Sequence, residues 1–165
     1  MYLFIPDDFG GYMAGKVYRS SVKISRAQAR QIVDGAFAMA RAQDMDPLTA
    51  FVMDGGGNMI SAEREDGCAP LRLSVSRGKA FAALGNGASS RTVGERNEQR
   101  PAFLASVAAA SDGQFIPVAG GVLILDTNDE VIGAVGVSGA SSDEDEQVAI
   151  AGIEAAGFKA GTAPD

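Results

Sequence analysis

Leu48-Thr-Ala-Phe-Val-Met53, Asp54-Gly-Gly-Gly-Asn58 and Met59-Ile-Ser-Ala-Glu63 follow one another without a break. The first run is apolar, with β-branched and aromatic side chains, the composition of a buried strand. The middle segment is a tight turn, because glycine reaches positive φ at little steric cost and Asp and Asn close turns with their own side chains. The third run returns as a second strand. So short a turn joins antiparallel neighbours, so the stretch predicts a β-hairpin and argues against a parallel dinucleotide-binding sheet.

Upstream, Ser25 is a good N-cap, and Gln28 three residues later completes a capping-box pattern. Ala29, Ile32, Val33, Ala36 and Ala40 then recur at helical spacing and predict one buried stripe. The helix runs out at Asp46-Pro47, since proline disfavours helix in the residue before it. Residues 1–21 read as an N-terminal arm before a single domain at 22–165. Tyr2, Phe4, Phe9, Tyr12 and Tyr18 stand between glycines there, and an arm this aromatic gains by burying them on its own domain or on a neighbouring subunit.

Downstream, Arg64 to Pro70 is a connector. Leu71 to Leu84 reads as a helix with Leu71, Val75 and Ala82 on related faces, stopped by Gly85. Short helices are predicted over Ser89–Gln99 and from Pro101 through Ala110. Val122–Leu125 and Val131–Val137 form a second hairpin about the Asp126–Asp129 turn. Gly133 and Gly136 within it mark close backbone approach or a bulge. Ser142 is expected to cap a last helix whose acidic first turn, Asp143 to Glu146, suits the positive helix end. Its buried stripe is read as Val148, Ala151, Ala155 and Phe158, and the tail from Lys159 as frayed. Helix, two strands, helices, two strands, helix is an α+β order.

The composition excludes several functions. Net charge −7 repels phosphate backbones and anionic lipid, so neither nucleic acid nor membrane is an expected partner. The single cysteine, Cys68, cannot form an internal disulfide. That suits a cytoplasmic protein, and the start lacks the basic flank and apolar run of a secretory signal. No histidine is present, which removes Ser-His-Asp and Cys-His catalysis, histidine-ligated metals and the usual general base. No metal site is predicted.

Four groups of residues could carry chemistry. Arg64, beyond a strand end and followed by Asp66-Gly67, can clamp a carboxylate by two parallel hydrogen bonds; the plain alternative is a solvated pair with Glu63 or Glu65. Lys79, among Gly78, Ala80, Ala82 and Ala83, could act as a base or Schiff-base nucleophile, against the commoner snorkelling lysine. Gly120-Gly121 and Gly136-Val-Ser138-Gly139 could present backbone N–H groups to an anion. Cys68, with no histidine to activate it, reads as a small loop cysteine. The Asp54–Asn58 loop reads first as a hairpin turn and is no Walker motif.

Taken in order, Asp54-x-Gly56-Gly57-Asn58, Arg64-x-Asp66-Gly67, Lys79-Ala80, Gly120-Gly121-Val-Leu, Ile132-Gly-Ala-Val-Gly-Val-Ser-Gly139 and Asp145 before a helix resemble the GlcG/HbpS family over about residues 22–158. That family takes in glycolate-operon proteins, an extracellular haem-binding protein and the C-terminal domain of PduO-type cobalamin adenosyltransferases. The resemblance implies a profilin-like, three-layer α/β/α fold with a five-stranded antiparallel sheet. It also implies homo-oligomers, often octamers built from dimers, and haem or a corrinoid as ligand, with some members linked to haem degradation and others to catabolic operons. Carried onto this chain, the pocket is Arg64, Lys79, Gly120, Gly121, Ser138 and Gly139. Asn58 stands where many relatives have histidine, so haem iron would need Cys68, a Met or a Tyr as ligand.

Three functions follow as expectations. The first is a binding protein for haem, a corrinoid or a small anionic metabolite. The second is an enzyme of isomerase or lyase type acting on a small carboxylated intermediate, with Arg64 holding the carboxylate and Lys79, Asp66 or Asp145 moving a proton. The third is an accessory oligomer that stabilises a partner enzyme.

Overall fold

The computed structural model describes residues 21–164. The expected arm, residues 1–21, therefore lies outside the described residues except for Ser21. The elements are α1 (Arg26–Ala42), β1 (Thr49–Asp54), β2 (Met59–Arg64), α2 (Arg72–Asn86), α3 (Ser90–Arg96), α4 (Pro101–Ala110), β3 (Gly121–Leu125), β4 (Val131–Ser138), α5 (Ser142–Ala155) and β5 (Lys159–Gly161). The five strands form one antiparallel sheet in the order β2-β1-β4-β3-β5. Both predicted hairpins are present, and pairing of β1 with β4 brings them side by side.

Period-two alternation sorts the strand side chains between two layers. Ala50, Val52, Val122, Ile124, Val135 and Val137 face α1 and α5, joining Ile32, Val33, Val148 and Ile153 in the larger core. Phe51, Met53, Leu123 and Ala134 face α2 and pack on Ala80 and Ala83. The result is an α+β, profilin-like arrangement, with α1 and α5 on one side of the sheet and α2 on the other.

α1 forms as its caps dictate. The Ser25 hydroxyl accepts from the Gln28 N–H at 3.2 Å, and the Gln28 side chain accepts the Ser25 N–H at 2.9 Å. All five residues of the predicted stripe are buried. In the first hairpin the Asp54 carboxylate accepts from the Gly56 and Asn58 N–H groups, each at 2.9 Å. Desolvation pushes that carboxyl up, but these bonds and the Asn58 side chain outweigh it and leave it below its ordinary value. The glycines of β4 mark close approach, as expected. A Cβ on Gly133 would strike the Met53 carbonyl, and one on Gly136 the Ser76 carbonyl.

Five local expectations need correction. α2 continues through Gly85 to Asn86 and closes at Gly87, which takes φ 67° and donates to the Ala83 carbonyl. The cap of α5 is Ser141, one residue earlier than expected, in a reciprocal box with Glu144. The inward stripe of α5 is Asp145, Val148, Ala149, Gly152 and Ile153, the face that docks on α1, the sheet and Lys79. Residues 159–161 are not frayed but pair with β3 as β5, because Leu125 and Leu123 offer that strand an open edge. In α2 the buried face is Ser76, Gly78, Lys79, Ala80, Ala82 and Ala83, while Leu71 is exposed. α4 is almost wholly apolar, yet none of its residues is fully buried.

Candidate functional site

Three strands end together on the α2 side of the sheet. Thr49 opens β1 and lies opposite Arg64, the last residue of β2, and opposite Ser138, the last residue of β4. Directly opposed residues share a face, and Thr49 alternates with Phe51 and Met53, which pack under α2. Thr49, Arg64 and Ser138 thus make a polar row at the rim. The connector after β2 folds onto it. Thr49 Oγ1 and Cys68 Sγ stand 3.3 Å apart, and the Arg64 guanidinium donates to the Cys68 carbonyl. Arg64 pairs with neither flanking acid, because Glu63 is taken by Arg30 at 3.1 Å and Glu65 by Arg41 at 3.0 Å.

Ser138 is fully buried, and its hydroxyl makes no hydrogen bond to any described residue. Its position under α2 follows from the register. Ala134 packs with Ala80 and Ala83, and Gly136 abuts Ser76 and Ala80. β4 and α2 therefore run in opposite senses, and Ser138 falls beneath the first turn of α2. That turn lacks a side-chain cap, since its N-cap position is Leu71. The N–H groups of Leu73 and Ser74 have no acceptor among the described residues. Arg72, half-buried beside them, makes no hydrogen bond or ion pair there either.

Behind the rim, Lys79 Nζ donates to Asp145 at 2.7 Å, with both side chains under 5% exposed. Burial pushes the Asp145 carboxyl above its ordinary value. Lys79, the Ala140 N–H at 3.1 Å and the charge of Arg72 pull it back down. Gly120, at φ 121°, lies over this pair; a Cβ there would sit 2.9 Å from Lys79 Nζ and 2.8 Å from the Val137 carbonyl. A Cβ on Gly121 would strike the Lys79 carbonyl. These glycines let the backbone close over the lysine. The pair joins α2 to the start of α5 at the point where β3 begins and β4 ends.

The sequence-derived pocket residues therefore fall into two adjoining groups. Arg64, Ser138 and Gly139 are at the rim, where Gly139 packs against Leu48. Lys79, Gly120 and Gly121 form the wall around Asp145. Asp66 is exposed on the connector and bonds to none of them. Thr49, Arg72 and Ser76 were not foreseen. Arg72, Ser76 and Lys79 fall at i, i+4 and i+7, one helix face, so a polar stripe on an inward face was the available signal. A cleft of about 250 Å³ lies against the rim, lined by Ala62, Glu63, Arg64, Pro70 and Leu73. Among the described residues no cluster of acids or thiols could hold a metal ion, and no helix is long and apolar enough to cross a membrane.

Fold and site together define a profilin-like α+β domain with a cationic, glycine-walled rim. Residues 24–154 match the family described as haem degrading protein HbpS-like, and the chain belongs to that family. The crystal structure of HbpS is 25% identical, with TM-score 0.69 over 85% of this chain and 94% of that one. Klebsiella pneumoniae ORFY, of the family DUF336, is 23% identical, with TM-score 0.72 over 86% of this chain and 98% of that one. A PduOC structure in complex with haem is 20% identical, with TM-score 0.74 over 87% of this chain and all, 100%, of that one. No curated protein sequence matches significantly.

Proposed function

We propose that this chain is a small-molecule-binding member of its family whose ligand carries a negative charge. The ligand is held at the rim by Arg64, Ser138 and Gly139, against the wall formed by Lys79, Gly120 and Gly121. Family membership supports binding, and the PduOC relative was crystallised with haem. The observation that carries the reading is the Ser138 hydroxyl, buried without a hydrogen bond among the described residues, across β1 from an arginine that has no carboxylate partner there. Buried hydroxyls are rarely left unpaired unless a ligand or water completes them.

The described residues do not fit haem held through its iron. Histidine is absent. Cys68 is buried and engaged with Thr49, Met45 and Met53 are core residues, Met39 packs against the core from α1, and Met59 is exposed on the outer hairpin. The tyrosines, Tyr2, Tyr12 and Tyr18, precede the described residues. A porphyrin would be held here by its propionates. No observation favours the isomerase- or lyase-type alternative over binding, since the Lys79 ammonium is committed to Asp145. The outward apolar side of α4 supports a homo-oligomeric assembly.

The test is a titration with haemin, followed at the Soret band, beside one with iron-free protoporphyrin IX and with small organic acids. The expected result is saturable binding of at least one carboxylate ligand, weakened in Arg64→Gln, with no iron-ligated Soret shift. A stoichiometric Soret shift abolished by Cys68→Ala or by a Met or Tyr replacement overturns it, as does the absence of saturable binding by every ligand.

A further inference from the structure

We infer that the uncapped N-terminus of α2 is a carboxylate-binding subsite, built from the Leu73 and Ser74 N–H groups, the Arg72 guanidinium and the Ser138 hydroxyl. It rests on the binding reading above and names the chemical class of the ligand group. Four observations converge on one spot. α2 has 15 residues and no side-chain cap, so its first N–H groups and the positive end of its dipole are left for a ligand. Arg72 forms no hydrogen bond or ion pair among the described residues, although it is half-buried. By the register of β4 against α2, Ser138 falls beneath that same turn, fully buried and without a hydrogen bond among the described residues. A cleft lined by Arg64, Pro70 and Leu73 opens to solvent beside this turn, at Leu73.

The donor set suits a planar carboxylate. A guanidinium offers two parallel N–H bonds to its oxygens, and the helix N–H groups and the hydroxyl fill the remaining lone pairs. Of the nearby acids that would oppose an anion, Asp66 is exposed to solvent and Asp145 is buried. Its charge is already answered by Lys79 at 2.7 Å and by the Ala140 N–H at 3.1 Å. The carboxylate can belong to a porphyrin propionate or to a free organic acid; the chemistry at this turn is the same.

The experiment is amide NMR of the full chain, titrated at constant ionic strength with sodium acetate, sodium glycolate, iron-free protoporphyrin IX and, separately, sodium phosphate. Saturable shifts of the Leu73, Ser74 and Gly139 amides are expected with a carboxylate probe. Arg72→Gln should weaken them about tenfold or more, the worth of a charge-assisted bidentate bond. Response to acetate or glycolate assigns a free acid, and response to the porphyrin alone assigns a propionate. If only phosphate moves these amides, or if Arg72→Gln binds carboxylates as the parent does, the inference is overturned. Saturable shifts elsewhere, with the start of α2 unmoved, overturn the subsite and leave the binding reading standing. No shift with any probe removes both.

Discussion

Replacing Ser138 by Ala should make the ligand-free protein more stable while weakening its hold on a carboxylate. The hydroxyl is fully buried without a hydrogen bond, and leaving such a group unsatisfied costs about 1–3 kcal/mol. Alanine removes that cost and forfeits only the few dispersion contacts of one oxygen, each about 0.1–0.2 kcal/mol. The backbone needs no adjustment, because Ser138 is an ordinary strand residue paired with Thr49. The net gain is about 1 kcal/mol, which for a domain of this size raises Tm by about 2–4 °C. Thermal unfolding followed by circular dichroism, in a buffer free of carboxylates and phosphate, measures it. Adding a carboxylate ligand should then raise the Tm of the parent more than that of the variant, since a ligand stabilises in proportion to its affinity. A ligand-free Ser138→Ala protein that melts at or below the parent temperature would show that the hydroxyl has a partner of its own, and would refute the reasoning for a site there.

Two further perturbations test the wall and the hairpin. Lys79→Met leaves Asp145 buried with the Ala140 N–H and the more distant charge of Arg72 in place of a contacting cation. Urea unfolding should show a loss of about 3–5 kcal/mol, most of it recovered in Lys79→Met/Asp145→Leu, where neither charge remains. Asp54→Ala removes the acceptor of the Gly56 and Asn58 N–H groups and should cost about 1–2 kcal/mol near neutral pH. The native Asp54 carboxyl titrates below its ordinary value of 3.8, so below that value the unfolded chain binds more protons. The stability Asp54 contributes is present above 3.8 and is lost as pH falls through the native titration. Urea midpoints of parent and variant should therefore converge in acid.

The parts of the fold legible in the sequence were those specified locally. Ser25 and Gln28 form the predicted box, and the 48–63 hairpin sits where its turn residues put it. The errors have one physical source, which is that tertiary packing chooses among local options of similar strength. The start of α5 is an exception: Ser141 with Glu144 three residues on matches the capping box and Ser142 with Asp145 does not, so the earlier cap was legible from the residues alone. Lys159 to Gly161 carry no strand signal of their own and become β5 because the β3 edge is open. The same holds for the site. Arg64, Lys79 and the glycines could be singled out by type and spacing. That Lys79 is bound to Asp145, 66 residues away, and that Arg72 makes no hydrogen bond or ion pair among the described residues, depends on contacts a linear reading does not contain.

A chain of net charge −7 is an unpromising host for an anion, and the rim answers this by neutralising its acids one at a time. Glu63 and Glu65 are paired with Arg30 and Arg41 of α1. Asp143 and Glu146 share Arg91, and the excess of acceptors drives that arginine further above its ordinary range. Glu144 is turned back into the Ser141 cap, and Asp145 is held by Lys79. Asp66, exposed on the connector, makes no hydrogen bond or ion pair among the described residues. The cations left without a carboxylate at the rim are Arg64 and Arg72. Distant acids are screened over about 8 Å at physiological salt, whereas a donor in contact with a ligand is not. The local field at the start of α2 is therefore set by two arginines and a helix dipole rather than by the net charge, and an acidic protein can hold an acid there.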